Sequence, residues 1–208
     1  MTVSEQGPGG SWLQQRIKNI LFTPAEEWAR IELEPATVKG LFVGYACILA
    51  AIGPIARLIG GQVFGAHVIA ITGHPLIFHP PLIRAVVGAV VDYALSLVGV
   101  FVLGLAIDVL APSFGGTRSR IQGLKVAVYA WTAAWIFQIF QLVPPVSALS
   151  IIGLYSLYLM YLGIPALMKA PADKAVVYSV LAIVVAIAIW IVVTIVAGSL
   201  VMVSTAGA

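Results

Sequence analysis

Five apolar stretches, each long enough to cross a bilayer, constrain this chain more than any other feature. They cover about 36–59, 81–110, 121–143, 146–168 and 174–201. A helix needs roughly 20 apolar residues to span the hydrocarbon, so the second and fifth have length to spare for tilt or projection. Composition agrees. The chain is 61% hydrophobic and only 9% charged, whereas soluble domains carry roughly 25% charged residues. A water-soluble fold could not cover that much apolar surface. The expected class is an all-α membrane protein with five transmembrane helices, residues 36–208, behind a segment, 1–35, of short amphipathic helices.

Breakers and charges order these spans. Pro144-Pro145 makes a tight turn, so the third and fourth spans form an antiparallel hairpin. Arg16, Lys18, Arg30, Lys39, Arg118, Arg120, Lys125, Lys169 and Lys174 all fall on one side of a five-span arrangement, and only Arg57 and Arg84 fall on the other. The positive-inside rule then places the N-terminus in the cytoplasm and the C-terminus outside. No cleavable signal pattern precedes the first span, which is expected to direct insertion itself. A net charge of +3 gives no footprint for nucleic acid, and the single cysteine, Cys47, allows no internal disulfide.

Upstream of the spans, Leu13, Ile17, Ile20 and Leu21 recur at helical spacing, away from Gln14, Gln15 and Lys18. This predicts a short helix that lies on the membrane surface or docks against the cytosolic ends of the others. Thr23-Pro24-Ala25-Glu26 reads as a capping box with proline at the first helical position. It predicts a second short helix from Pro24 to Leu33, ended by Pro35.

Several motifs resemble those of the Yip1-domain family, in its bacterial branch. Asp108-Val109-Leu110-Ala111-Pro112-Ser113-Phe114-Gly115-Gly116 is similar to the family's D-x-x-A-P-x-F-G-G turn. Tyr129 to Trp135 looks like its third-helix aromatic motif, with Ala133 where many members have proline. Gly153 to Leu159 and Gly163 to Lys169 resemble its fourth helix. Ile20 to Pro24, Glu27-Trp28 and Glu34-Pro35 are similar to its N-terminal segment. The resemblance implies a five-helix membrane domain with a cytosolic N-terminus, placed in a bacterial inner membrane. The missing proline puts a kink in the third helix in question.

Ionisable groups inside a span are the best functional candidates, since each costs about 2.5–3.5 kcal/mol at the helix centre on insertion scales. Asp92 lies roughly mid-membrane in the second span. It must be protonated, paired or facing water, as a structural contact or as a proton or solute site. Arg57 could reach it, while Arg84 sits ~12 Å further along the same helix. Gln138 on the third span and Tyr155 and Tyr158 on the fourth complete a candidate intramembrane polar site, with interhelical packing as the alternative role. Asp108, Pro112, Phe114, Gly115 and Gly116 form a candidate loop or partner site, where Asp108 could instead pair with Arg118 or Arg120. Gly163 and Pro165 predict a kink in the fourth helix.

His67, His74 and His79 share a loop, but their spacing matches no helical metal-ligand pair. No phosphate loop, metalloprotease spacing or nucleophile with its base is present. The expectation is a non-enzymatic protein with no catalytic residues, no cofactor and no metal, whose partners are membrane lipids or a membrane protein. Small residues at Ala85/Ala89, Gly99/Gly104 and Ala182/Ala186 suit close helix approach, within the bundle or in a homo-oligomer. The alternative function is a small ion or solute transporter or channel working through Asp92.

Overall fold

The computed structural model describes residues 10–69 and 75–206. Two short helices, α1 (Gly10–Phe22) and α2 (Pro24–Leu33), precede five spans. These are α3 (Val38–Val63), α4 (Leu82–Phe114), α5 (Arg120–Leu142), α6 (Pro144–Met168) and α7, whose membrane-crossing part is Ala172–Ser199. Between α3 and α4, strands β1 (Ala66–Ile69) and β2 (Pro75–Phe78) pair antiparallel, with His67 opposite Ile77. The expected loop there is therefore a β-hairpin. The two short strands pair their backbone groups across the hairpin, Val68 opposite Leu76, instead of leaving them unsatisfied. The face of the bundle carrying α1 and α2 is called the N-side here, and the face carrying the β-hairpin the far side.

Of the five spans, α5 is the most enclosed, with 61% of its apolar window buried, and α7 the least, with 11%. Thus α5 is the axis of the bundle and α7 a peripheral helix turned mainly to the surroundings. Small residues set the central contacts. A Cβ on Gly123 of α5 would stand 2.5 Å from the Gly104 carbonyl oxygen of α4, so those two backbones touch there. Ala182 and Ala186 of α7 are fully covered inside the same chain.

The spans are not uniform helices. α5 breaks at Trp131, where Thr132 Oγ1 donates to the Tyr129 carbonyl at 2.6 Å. Back-bonding of this kind competes with the helical ladder and replaces the proline that Ala133 lacks. The start of α6, Pro144–Leu154, winds as a 3-10 helix in which Ser147 and Ser150 back-bond to carbonyls three residues earlier. Beyond it, α6 stays helical through Pro165 to Met168.

The N-terminal helices take the docked course. Ile20, Trp28 and Ile31 are fully buried, and the Tyr155 hydroxyl donates to the Leu21 carbonyl at 3.1 Å. Tyr155 lies thirteen residues before the N-side end of α6, about 20 Å along its axis. The pair α1–α2 is thus a hairpin packed along the flank of α5 and α6, its turn pointing towards the far side. The expected capping box does not form. Thr23 makes no side-chain cap to α2 and instead donates to the Asn19 carbonyl at 3.1 Å, closing the end of α1.

Candidate functional site

Far-side pocket. Arg57 lies six residues before the end of α3, and Asp92 ten residues after the start of α4, about 9 and 15 Å from the far-side helix ends. A long arginine side chain covers that difference in depth. Arg57 Nη2 makes an ion pair with Asp92 Oδ2, and its Nη1 donates to Gln141 Oε1 at 2.7 Å. Neither charged side chain is enclosed, at 42% and 34% exposed, because both line cavities. The larger cavity, of about 370 Å³, lies between α3, α4, α5 and α7, and Gln138, Ser96, Trp190 and Thr194 also contribute to its wall. The smaller, of about 200 Å³, lies on the other side of the pair against Pro80, Ala85, Gly88 and Ala89. Towards the N-side the larger cavity ends on Ala50, Val100, Leu103 and Ala186, all of them buried.

Of the six residues expected to form one intramembrane site, Arg57, Asp92 and Gln138 come together; Arg84, Tyr155 and Tyr158 do not. Arg84 is exposed at the start of α4. Tyr155 holds α1, and Tyr158, 49% exposed, packs its ring 5.3 Å from that of Tyr155. Facing α1 and the surroundings, both rings turn away from Asp92. Gln141 is marked in sequence only as a polar residue of the third span, while Ser96, Trp190 and Thr194, also in the pocket wall, carry no charge or motif that would mark them. Of the loop histidines, His79 is exposed; His74 and the side chain of His67 lie outside the described residues.

The Asp108 turn is a clamp. Phe114 stacks on Tyr178 of α7 at 5.1 Å with rings 5° apart. Gly115 adopts a left-handed conformation, φ 73°, which ends the turn begun by Pro112. Gly116 leaves room for the Met168 carbonyl, which accepts from Thr117 N at 2.7 Å. Asp108, 6% exposed, receives Arg118 Nε at 3.4 Å, while its Oδ1 is buried without a partner. The turn thus joins the N-side ends of α4, α6 and α7.

A second polar centre, not expected from sequence, sits inside the N-terminal hairpin. Arg16, 4% exposed, binds Glu27 at 2.5 Å and also Glu34, and lies 5.5 Å from the ring centres of both Trp12 and Tyr129. Burial opposes its charge. The hydrogen bond to Glu34 and the surrounding acidic charges outweigh that and hold the guanidinium pKa above its ordinary value. Lys125 of α5 enters from the other side. Its ammonium donates to the carbonyls of Ile31 at 2.7 Å and Glu34 at 2.6 Å, capping the C-terminus of α2 where the helix dipole is negative. Trp28 closes on α6 at Gly163, where a Cβ would fall 2.7 Å from the indole. Gly163 therefore serves close contact with α2.

Five spans, a docked N-terminal hairpin and a charge pair held between helices define a polytopic helical membrane protein. The chain belongs to the Yip1 family: the model of the Yip1 domain matches residues 18–194, from within α1 to the far part of α7. Neither a curated protein nor a solved structure matches it significantly.

Proposed function

We propose that this chain is a non-enzymatic, Yip1-type component of a bacterial inner membrane that binds a membrane lipid in the Arg57–Asp92 pocket. Its N-side faces the cytoplasm. The observation that carries the reading is the pocket itself: a charge pair exposed to a cavity of about 370 Å³ with much of its wall apolar. An ion pair inside a span offsets its desolvation only when its remaining donors and acceptors are satisfied. A half-open pair inside a span retains capacity for a further polar group. An amphipathic molecule supplies that group and an apolar remainder for the exposed face of α7. The expected result is phospholipid that stays with the protein through detergent purification and is detected by native mass spectrometry. Protein that emerges free of phospholipid under conditions preserving its fold would overturn the reading.

Transport through Asp92 is the second reading, favoured by the same polar cavity. The buried floor at Ala50, Val100, Leu103 and Ala186 argues against a continuous path in this conformation. Flux into proteoliposomes that Asp92→Asn abolishes would establish transport in its place. The nine-to-two division of basic residues supports the orientation.

A further inference from the structure

Resting on the lipid-binding reading above, we propose that the pocket selects a zwitterionic phospholipid whose headgroup carries a protonated primary amine, as in phosphatidylethanolamine. The argument is one of charge conservation. Arg57 and Asp92 pair with each other, and both remain open to cavities. In a poorly solvated setting an anionic ligand taken by Arg57 leaves Asp92 without its partner, and a cationic ligand does the reverse to Arg57. Either leaves a stranded charge. A zwitterion exchanges one pair for two, phosphate on Arg57 and ammonium on Asp92, with no charge stranded.

The chemistry of the wall narrows the amine. Arg57 has five N–H donors and uses Nη1 for Gln141 and Nη2 for Asp92, which leaves donors for phosphate oxygens. Asp92 is an acceptor, so it rewards an ammonium that donates hydrogen bonds over a quaternary one that cannot. Trp190, which both lines the pocket and stands exposed on α7, then lies where acyl chains would run. Because Arg57 is about 9 Å inside the helix end, the bound headgroup is drawn below the level of its neighbours.

Detergent-purified protein is mixed with equal amounts of phosphatidylethanolamine, phosphatidylcholine and phosphatidylglycerol of identical acyl chains, and retained lipid is measured by native mass spectrometry. Wild type is expected to retain ethanolamine lipid about tenfold over the others, the worth of roughly one charge-assisted hydrogen bond. In Asp92→Asn that preference over choline lipid should vanish. Ala197 of α7 also lines the larger cavity, so Ala197→Trp, which adds bulk there without altering its charges, should lower retention of ethanolamine lipid while leaving thermal stability in place. Equal retention of choline and ethanolamine lipids by wild type overturns the amine assignment. Preference for the glycerol lipid overturns the charge-exchange argument. Unchanged retention in Ala197→Trp overturns the pocket as the site. If wild type retains no phospholipid, the underlying lipid-binding reading falls as well, an outcome separate from the other three.

Discussion

At the scale of single residues, the same kind of group does different work according to what surrounds it. Arg16 and Arg57 are both arginines paired with a carboxylate. Arg16 is sealed between two aromatic rings and two glutamates, whereas Arg57 opens onto cavities. The first is structural. Glu27→Gln removes half of a buried pair and is expected to lower stability by about 3 kcal/mol, measured by mixed-micelle unfolding. Glu26→Gln, changing an exposed neighbour, should shift it by less than about 0.5 kcal/mol. Gly115 is a different case, limited by backbone alone. At φ 73° an added Cβ strains the turn, so Gly115→Ala should cost about 1 kcal/mol in the same assay. An unchanged midpoint would show that the turn relaxes freely.

Among elements, α2 packs on α6 and is tied to α5 by polar bonds. α2 has ten residues, too short to be a stable helix by itself in water. Its C-terminal carbonyls are satisfied by Lys125 and by Gln122 Nε2, which donates to the Glu32 carbonyl at 3.1 Å. Lys125→Met leaves those carbonyls without their cation and should weaken docking by about 2 kcal/mol. Hydrogen exchange then speeds up through residues 24–33 while α4 and α7 keep their protection. Uniform loss of protection would mean instead that the hairpin and bundle unfold as one unit. Gly163 is the matching surface on α6. Its glycine lets the Trp28 indole lie against the helix backbone.

On the scale of the whole molecule, α7 and the charge asymmetry govern how the bundle meets its membrane. Nine basic residues gather towards the N-side ends and two towards the far side. With the proposed orientation, alkaline phosphatase fused after Ala208 should be active and a fluorescent protein there dark. The reverse pattern would require the entire bundle to be inverted.

Span number, the hairpin at Pro144-Pro145 and the extent of α2 were legible in the sequence, because length, hydropathy and breakers act locally. The Asp108 partner was half legible: Arg118 and Arg120 both lay within reach, and only the folded turn selects Arg118. The break in α5 was not, since it comes from a threonine back-bond rather than a proline. Nor was the centre at Arg16, whose partners Glu27, Glu34 and Tyr129 stand 11, 18 and 113 positions away along the chain. Charge counting recorded Arg16 and Lys125 only as marks of sidedness. Tertiary structure alone decided that they are buried, that α1 docks beside α5 and α6, and that Arg57 reaches Asp92 across two helices. Local chemistry determines whether a segment enters a bilayer; which of its polar groups meet depends on depth and rotation, and these are set only when the helices pack.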